Sequence, residues 1–383
     1  MRDKNKFRGC LIGGAIGDAL GYPVEFMSYD RIIRKYGPSG ITRYELTDGV
    51  AQISDDTQMT LFTANGLLVG TTRGNLRGIF GGYPLYIWYC YKDWLRTQER
   101  TEIPPSDADA SREYNHSWLI HIRELNCRRA PGNSCLSALY SGQAGTMDEP
   151  INQSKGCGGV MRVAPIGLYL GTYRFSPKGI SLIGAEVAAL THGHDLGYIP
   201  AAGLVHIIDA ICYRGYSGEN DLKDIVGDCI DSMNQIFHDK PHIQEFTEIM
   251  KKAVALSESN ESDIDCIRQI GGGWVAEETL AIAVFCVLRY KNDFEKAIIA
   301  SVNHSGDSDS TGSVTGNILG AYHGYDTLPE HFTDRLELKS TILEIADDLY
   351  DNHPLSEYKE FNPEDQRWFD KYVRHKNLDE SEI

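Results

Sequence analysis

Two short stretches hold the chain's densest oxygen chemistry. Residues 303–312 read NHSGDSDSTG, in which Asp307, Asp309, Ser310 and Thr311 place four oxygen donors within five residues. Carboxylates one residue apart, beside glycines that release the backbone, can turn inward together and bind a hard cation such as Mg²⁺, Mn²⁺ or Ca²⁺. The ordinary alternative is a solvated acidic turn in which Ser310 or Thr311 caps the next helix. Ser54, Asp55, Asp56 and Thr57 read SDDT just before an amphipathic helical run, MTLFTANGLL, so they too stand where a loop enters a helix. There the ordinary reading is an N-cap with acids favoured by the helix dipole. About 250 residues separate the two entrances, and only the fold can bring them face to face. If it does, like charges about 4 Å apart repel by ~4 kcal/mol at an effective dielectric of ~20. One or two divalent ions would balance such a cluster and could activate water.

The elements that must position these stretches are helical. In FRGCLIGGAIGDALG, Gly9, Gly13, Gly17 and Gly21 recur every four residues along one helix face. Each glycine costs a helix roughly 0.5–1 kcal/mol against alanine, so the stripe implies tight helix packing or backbone beside a ligand. It is no dinucleotide fingerprint, since GxGxxG is absent and no strand precedes it. Asp18 lies in this run, and Pro23 ends the helix and leaves Glu25 on a loop. Residues 30–53, with Gly37, Pro38, Gly40, Asp48 and Gly49 as turn signals, read as a mobile connection long enough to serve as a lid.

Further along, residues 83–98 form an aromatic-rich helix, 101–115 a polar loop and 134–141 a short helix. In KGCGGVMR, residues 155–162, Gly156, Gly158 and Gly159 could expose amides to a phosphate with Lys155 or Arg162 nearby, or could make a plain turn. Apolar helical patterns cover 178–190, 198–213 and 222–237. Between the first two, THGHD offers His192, His194 and Asp195 as transition-metal ligands, or as a helix cap and ligand contact, which is the simpler reading. Residues 258–265 read as an exposed acidic loop. A glycine-led helix follows at 271–290, with Trp274 at its mouth and Glu277 and Glu278 in its first turn. Helices at 294–301 and 331–350 precede a charged, fraying end, HKNLDESEI.

Strand signals are sparse, so the fold expected is all-α: one compact domain of about a dozen helices over residues 1–350, with a C-terminal extension at 351–383. The 383 residues, 42% of them hydrophobic, supply a substantial core. A formal charge of −17 opposes binding to nucleic acid or anionic membrane. No run of about 18 apolar residues suggests a membrane span, and MRDKNKFRG lacks a signal-peptide core. Nine scattered cysteines without CxxC spacing support neither a disulfide framework nor a zinc site, so the expected location is the reducing cytoplasm.

The ordered motifs GDALGYPVE, SDDTQM, GCGGVMR, THGH, GGWVAEE and NHSGDSDSTG, over roughly residues 5–325, resemble the ADP-ribosylglycohydrolase family. That family includes the dinitrogenase reductase-activating glycohydrolase and the ADP-ribosylarginine hydrolases. The resemblance implies an all-α fold with two Mg²⁺ or Mn²⁺ ions at the mouth of an ADP-ribose cleft. Carried over by position, Ser54, Asp55, Asp56, Asp307, Asp309 and Ser310 would be the metal ligands. Glu25, with Asp55, Asp56 and Asp307, would serve catalysis. Gly156, Gly158, Gly159, Met161 and Arg162 would cradle the pyrophosphate, and His192 would line the cleft. The implied reaction is metal-dependent hydrolysis of the C1″ bond between ADP-ribose and a protein or small-molecule acceptor. The SDDT and DSDST wording is closest to arginine-type members. Two rivals remain: an ADP-ribose-binding regulatory protein without turnover, and an HD-type metal phosphohydrolase suggested by the adjacent His194 and Asp195.

Overall fold

The computed structural model describes residues 2–99, 115–171, 175–219 and 221–376. Among them lie seventeen α-helices and no strand, with only isolated bridges at Thr47↔Val50, Ala51↔Leu336 and Gly156↔Val275. The first half of the chain contains α1 (Lys4–Gly21), α2 (Tyr29–Tyr36), α3 (Asp55–Arg77), α4 (Tyr83–Thr97), α5 (Asn133–Tyr140), α6 (Ala164–Leu170) and α7 (Pro177–Ala189). Next come α8 (Asp195–Tyr213), α9 (Asp221–Ile236), α10 (Ile243–Ser257), α11 (Asp263–Ile270) and α12 (Ala276–Arg289). The chain closes with α13 (Phe294–Val302), α14 (Ser308–His323), α15 (Glu330–Thr333), α16 (Lys339–Asp351) and α17 (Pro363–Tyr372).

The glycine stripe of α1 is a packing device. It runs antiparallel to a matching stripe on α14, so that Gly9, Gly13 and Gly17 face Gly320, Gly316 and Gly312. A Cβ on Gly17 would lie 2.0 Å from the Gly312 carbonyl oxygen, and one on Gly13 2.3 Å from that of Gly316. The two main chains therefore touch directly. The contact continues to Gly21, whose Cβ would lie 2.3 Å from the Ser308 oxygen, at the first residue of α14. The C-terminal end of α1 is thereby set against the DSDST entrance.

Helix α8 fills the interior beside α7, α6, α12 and α14. It is also an exception to the sequence expectation about apolar runs. By length and hydropathy it could cross a membrane, yet 89% of its apolar window is buried inside the protein. Core packing accounts for that composition.

Three further expectations are revised. The connection at 30–53 contains α2, whose N-cap is Ser28 and whose Tyr29 amide donates to Ser305 Oγ at 2.7 Å. The helix expected over 331–350 is two helices. Residues between α15 and α16 pair instead with residue 51: the Ala51 amide donates to Arg335 O (2.7 Å) and the Glu337 amide to Ala51 O (3.0 Å). Leu338, at φ 57°, then turns the chain into α16. Within the acidic segment 258–265, Ser262 caps α11, which begins at Asp263. Helix α10 answers to no sequence expectation. Beyond residue 351, α17 returns to the body, where Trp368 Nε1 donates to Thr72 Oγ1 of α3 at 2.9 Å. The polar loop expected at 101–115 and the fraying C-terminal end lie almost wholly outside the described residues.

If main-chain contact between α1 and α14 organises the fold, one methyl group placed in it will be felt. Gly17→Ala should lower unfolding free energy by about 1–3 kcal/mol through overpacking. Gly227→Ala, on the exposed face of α9 where a Cβ meets nothing within 4 Å, should instead raise it by about 0.5–1 kcal/mol. Urea unfolding measures both; a Gly17→Ala protein as stable as the parent would contradict the packing account.

Candidate metal centre

The SDDT entrance is shaped by hydrogen bonds that converge on it from three directions. From α1, Asp18 accepts the Ser54 amide with both oxygens (2.9 and 3.1 Å), the Thr57 amide (3.0 Å) and the Thr57 hydroxyl. From the break before α16, Glu337 accepts the Ile53 amide at 3.1 Å and the Arg129 guanidinium at 3.0 Å. From the turn before α5, the Asp55 amide donates to Arg129 O (3.0 Å), and Asp55 Oδ2 accepts the Gly132 amide (3.3 Å). Ser54 also caps α3, its Oγ accepting the Asp56 amide at 3.2 Å. The ordinary capping reading therefore holds, and the carboxylates are held in addition.

The DSDST entrance is built the same way. Asp307 caps α14 through the Ser310 amide (3.2 Å), and Asp309 Oδ1 accepts the same amide (3.0 Å). The Asp307 amide donates to Gly272 O at 2.8 Å, and the Cys157 thiol donates to Asp307 Oδ2 at 2.7 Å. Thr311, one of the oxygen donors singled out in the sequence, turns away: its hydroxyl donates to Ser301 O (2.7 Å) and Asp307 O (2.8 Å).

The fold brings the two entrances together with the loop after α1. One oxygen each from Glu25, Asp307 and Asp309 lies within 4.8 Å of the others. Ser54, Asp55, Asp56, Asp307, Asp309 and Ser310 are all buried. Two oxygens of the group, Glu25 Oε2 and Asp56 Oδ2, are buried without any hydrogen-bond partner. An orphaned carboxylate oxygen is costly to bury and calls for a cation or a proton.

Electrostatics records the same demand. Burial, followed by the charges of Asp307 and Asp55, lifts the Glu25 carboxyl to about 9. Burial raises Asp56 well above the usual carboxylate range, helped by Asp18, Asp55 and Asp307, and raises Asp309 likewise, helped by Asp307, Asp56 and Glu25. Asp55 is also raised, by burial first and then by Asp18 and Asp307, against the pull of the Gly132 amide. Asp18 reaches about 6 through burial, moderated by its bonds from Thr57 and Ser54. The donors are all oxygen, which suits Mg²⁺ or Mn²⁺ better than a soft metal.

The glycine segment lies alongside. Its Lys155 O accepts the Ala276 amide (2.9 Å) and its Cys157 amide donates to Trp274 O (3.3 Å), so it is tied to the mouth of α12. Met161 is buried, its sulfur 4.0 Å from Ser310 Oγ. His192 is buried beneath the loop, where a Cβ on Gly158 would meet its Cε1 at 2.9 Å and one on Gly156 its Nε2 at 3.5 Å. Burial, with the charge of Arg162, holds His192 down to about 3, so it is a neutral support with Nδ1 on Thr191 Oγ1 (2.8 Å). Arg162 corrects a sequence expectation. It is fully buried, with Nη2 donating to Thr191 Oγ1 (2.7 Å) and its guanidinium 4.4 Å from the Tyr91 ring centroid, and so braces the core rather than meeting a phosphate.

His194 Nδ1 accepts the Leu196 amide (3.1 Å) and caps α8, while Asp195 accepts the amide (3.0 Å) and Nδ1 (2.7 Å) of His242. His194, Asp195 and His242 do gather within 4.8 Å, but these groups are already engaged in helix capping and one another. Sequence reasoning passed over Asp18, Glu337 and Cys157 as parts of the centre. Asp18 did carry a signal, a charge inside the otherwise apolar, glycine-striped stretch from Gly9 to Gly21; Glu337 carried none, because its role depends on the break between α15 and α16.

The sequence model of the family described as ADP-ribosylglycohydrolase matches residues 1–358. The chain is 24% identical over 368 residues to the human ADP-ribosylhydrolase ARH3, covering 88% of this chain and 90% of that protein. It is 23% identical over 354 residues to an ADP-ribosylarginine hydrolase of Pseudomonas putida, covering 91% and 79%. Among solved structures, an ADP-ribosylglycohydrolase-related protein complex superimposes with a TM-score of 0.58 at 21% identity, over 92% of this chain and 99% of that one.

Asp18 acts on the centre through the Ser54 and Thr57 groups it holds and through its charge on Asp55 and Asp56. Asp18→Asn would place an NH₂ group against N–H donors, and metal affinity should fall by roughly 10-fold or more with the helical circular dichroism kept. Undiminished affinity, measured by calorimetric titration, would contradict that role. Because burial raises the carboxyls of Asp55, Asp56 and Asp309, which would have to shed protons to take a cation, affinity should rise with pH, with proton release on binding.

Proposed function

Since the chain belongs to the ADP-ribosylglycohydrolase family and is an enzyme of that class, we propose that it hydrolyses the C1″ bond joining ADP-ribose to an arginine side chain. The observation that carries this reading is the pair of unpartnered buried oxygens, Glu25 Oε2 and Asp56 Oδ2, within carboxylates contributed by two facing helix entrances and the loop after α1. Two divalent ions, Mg²⁺ or Mn²⁺, would be held by Ser54, Asp55, Asp56, Asp307, Asp309 and Ser310. When bound they supply Lewis acidity toward the ribose hydroxyls and water.

The chain's own residues do the rest. The carboxylates favour positive charge as the anomeric carbon becomes oxocarbenium-like. Glu25, on the loop after α1, is placed to pass a proton to the departing acceptor or to take one from water. Gly156, Gly158 and Gly159 would cradle the pyrophosphate with their main chain; lacking Cβ atoms, they let the loop sit directly on His192, Cys135 and Ala188. His192 fixes the underside of that loop. All nine cysteines stand unpaired, which supports a reducing location such as the cytoplasm.

The test is release of free ADP-ribose from arginine-linked and serine-linked substrates, with Mg²⁺ or Mn²⁺ and with chelator. Release from the arginine linkage that chelator abolishes is expected. Asp307→Ala should abolish it with helical circular dichroism intact. Tight ADP-ribose binding without any release would favour a regulatory binding protein instead.

A further inference from the structure

The loop that holds Glu25 and the turn before α12 each present an exposed aromatic residue. Phe26, directly after Glu25, is 65% exposed and sits at φ 63°, a left-handed conformation unusual for a bulky side chain. Trp274 is 43% exposed. Their rings stack, with centroids 5.3 Å apart and planes inclined by 25°. Two exposed aromatic rings that meet each other, one of them on strained backbone, are unusual on a protein surface, and such strain gathers at functional positions.

The backbone on both sides is fixed to the metal centre. The Tyr29 amide, three residues beyond Phe26, donates to Ser305 Oγ (2.7 Å), just before Asp307. On the other side Gly272 O accepts the Asp307 amide (2.8 Å), and the Gly272 and Gly273 amides are held by Glu278 Oε2 (3.0 and 3.1 Å). The pair thus stands at a set position, with Phe26 directly beside Glu25 in sequence and both backbones tied to the Asp307 segment. The one nearby cation of the glycine segment, Lys155, is engaged by Glu277.

Resting on the hydrolytic reading above, we infer that the Phe26–Trp274 pair is the acceptor subsite, a platform whose exposed ring faces take the planar guanidinium of an arginine-linked substrate. A guanidinium stacks on aromatic faces and is weakly hydrated, so it gains from such a surface, whereas a serine hydroxyl presents nothing to it. Acceptor choice then resides in residues that contact neither the ions nor the ADP-ribose.

The experiment compares kcat/KM for arginine-linked and serine-linked ADP-ribose in the parent, Trp274→Leu and Phe26→Leu, with the affinity for free ADP-ribose measured beside it. Leucine keeps apolar bulk and removes the π face. The arginine-over-serine ratio should fall ~2- to 30-fold in each variant, with free ADP-ribose affinity unchanged. An unchanged ratio overturns the inference while leaving hydrolysis standing. A matching loss of free ADP-ribose affinity also overturns it, in favour of a nucleobase platform. No release from either substrate by the parent protein sinks the hydrolytic reading, and the inference with it.

Discussion

Everything at the centre depends on how closely two helices approach. Helices α1 and α14 meet main chain to main chain along Gly9, Gly13 and Gly17 on one side and Gly320, Gly316 and Gly312 on the other. Such contact is open only to residues without a Cβ, and the helix propensity lost at each glycine is offset by the packing it permits. Its consequence is positional. The end of α1 that carries Asp18 and leads to Glu25 is pinned to the start of α14, where Asp307 and Asp309 stand.

The second constraint is electrostatic. Helices α3 and α14 both present N-termini to the same small volume, and both are capped by residues of the acidic motifs, Ser54 and Asp307. The positive ends of the two helix dipoles favour carboxylates there, by about 0.3–1 kcal/mol each when exposed and more when partly buried. That does not match the repulsion among several buried carboxylates, and burial together with that repulsion raises the carboxyls of Glu25, Asp55, Asp56 and Asp309 above the usual carboxylate range. A divalent cation bound there would relieve that crowding, so the fold arranges in advance the charge that such an ion would meet.

Much of this was legible in the chain. The SDDT and DSDST motifs announce themselves by composition, the glycine stripe by its period of four, and the all-α fold by recurrent helical patterns without strand signals. What escaped depends on tertiary geometry. Arg162 follows the glycine segment in sequence, yet its side chain runs inward to Thr191 and Tyr91, since a helix entrance sends neighbouring side chains in different directions. Helical periodicity over 331–350 gave no hint that Arg335 and Glu337 would abandon the helix to pair with Ala51. Phe26 and Trp274 are far apart in sequence, where Trp274 stands only as the residue at a helix mouth; the fold stacks them.

The central claim is that two facing helix entrances form one binuclear oxygen site. Electron paramagnetic resonance of the protein titrated with Mn²⁺ tests it most directly, because two ions held by shared carboxylates couple magnetically. The account predicts saturation at two Mn²⁺ per chain with a spin-coupled spectrum. Saturation at a single ion with an isolated Mn²⁺ signal, or no binding above background, would contradict it.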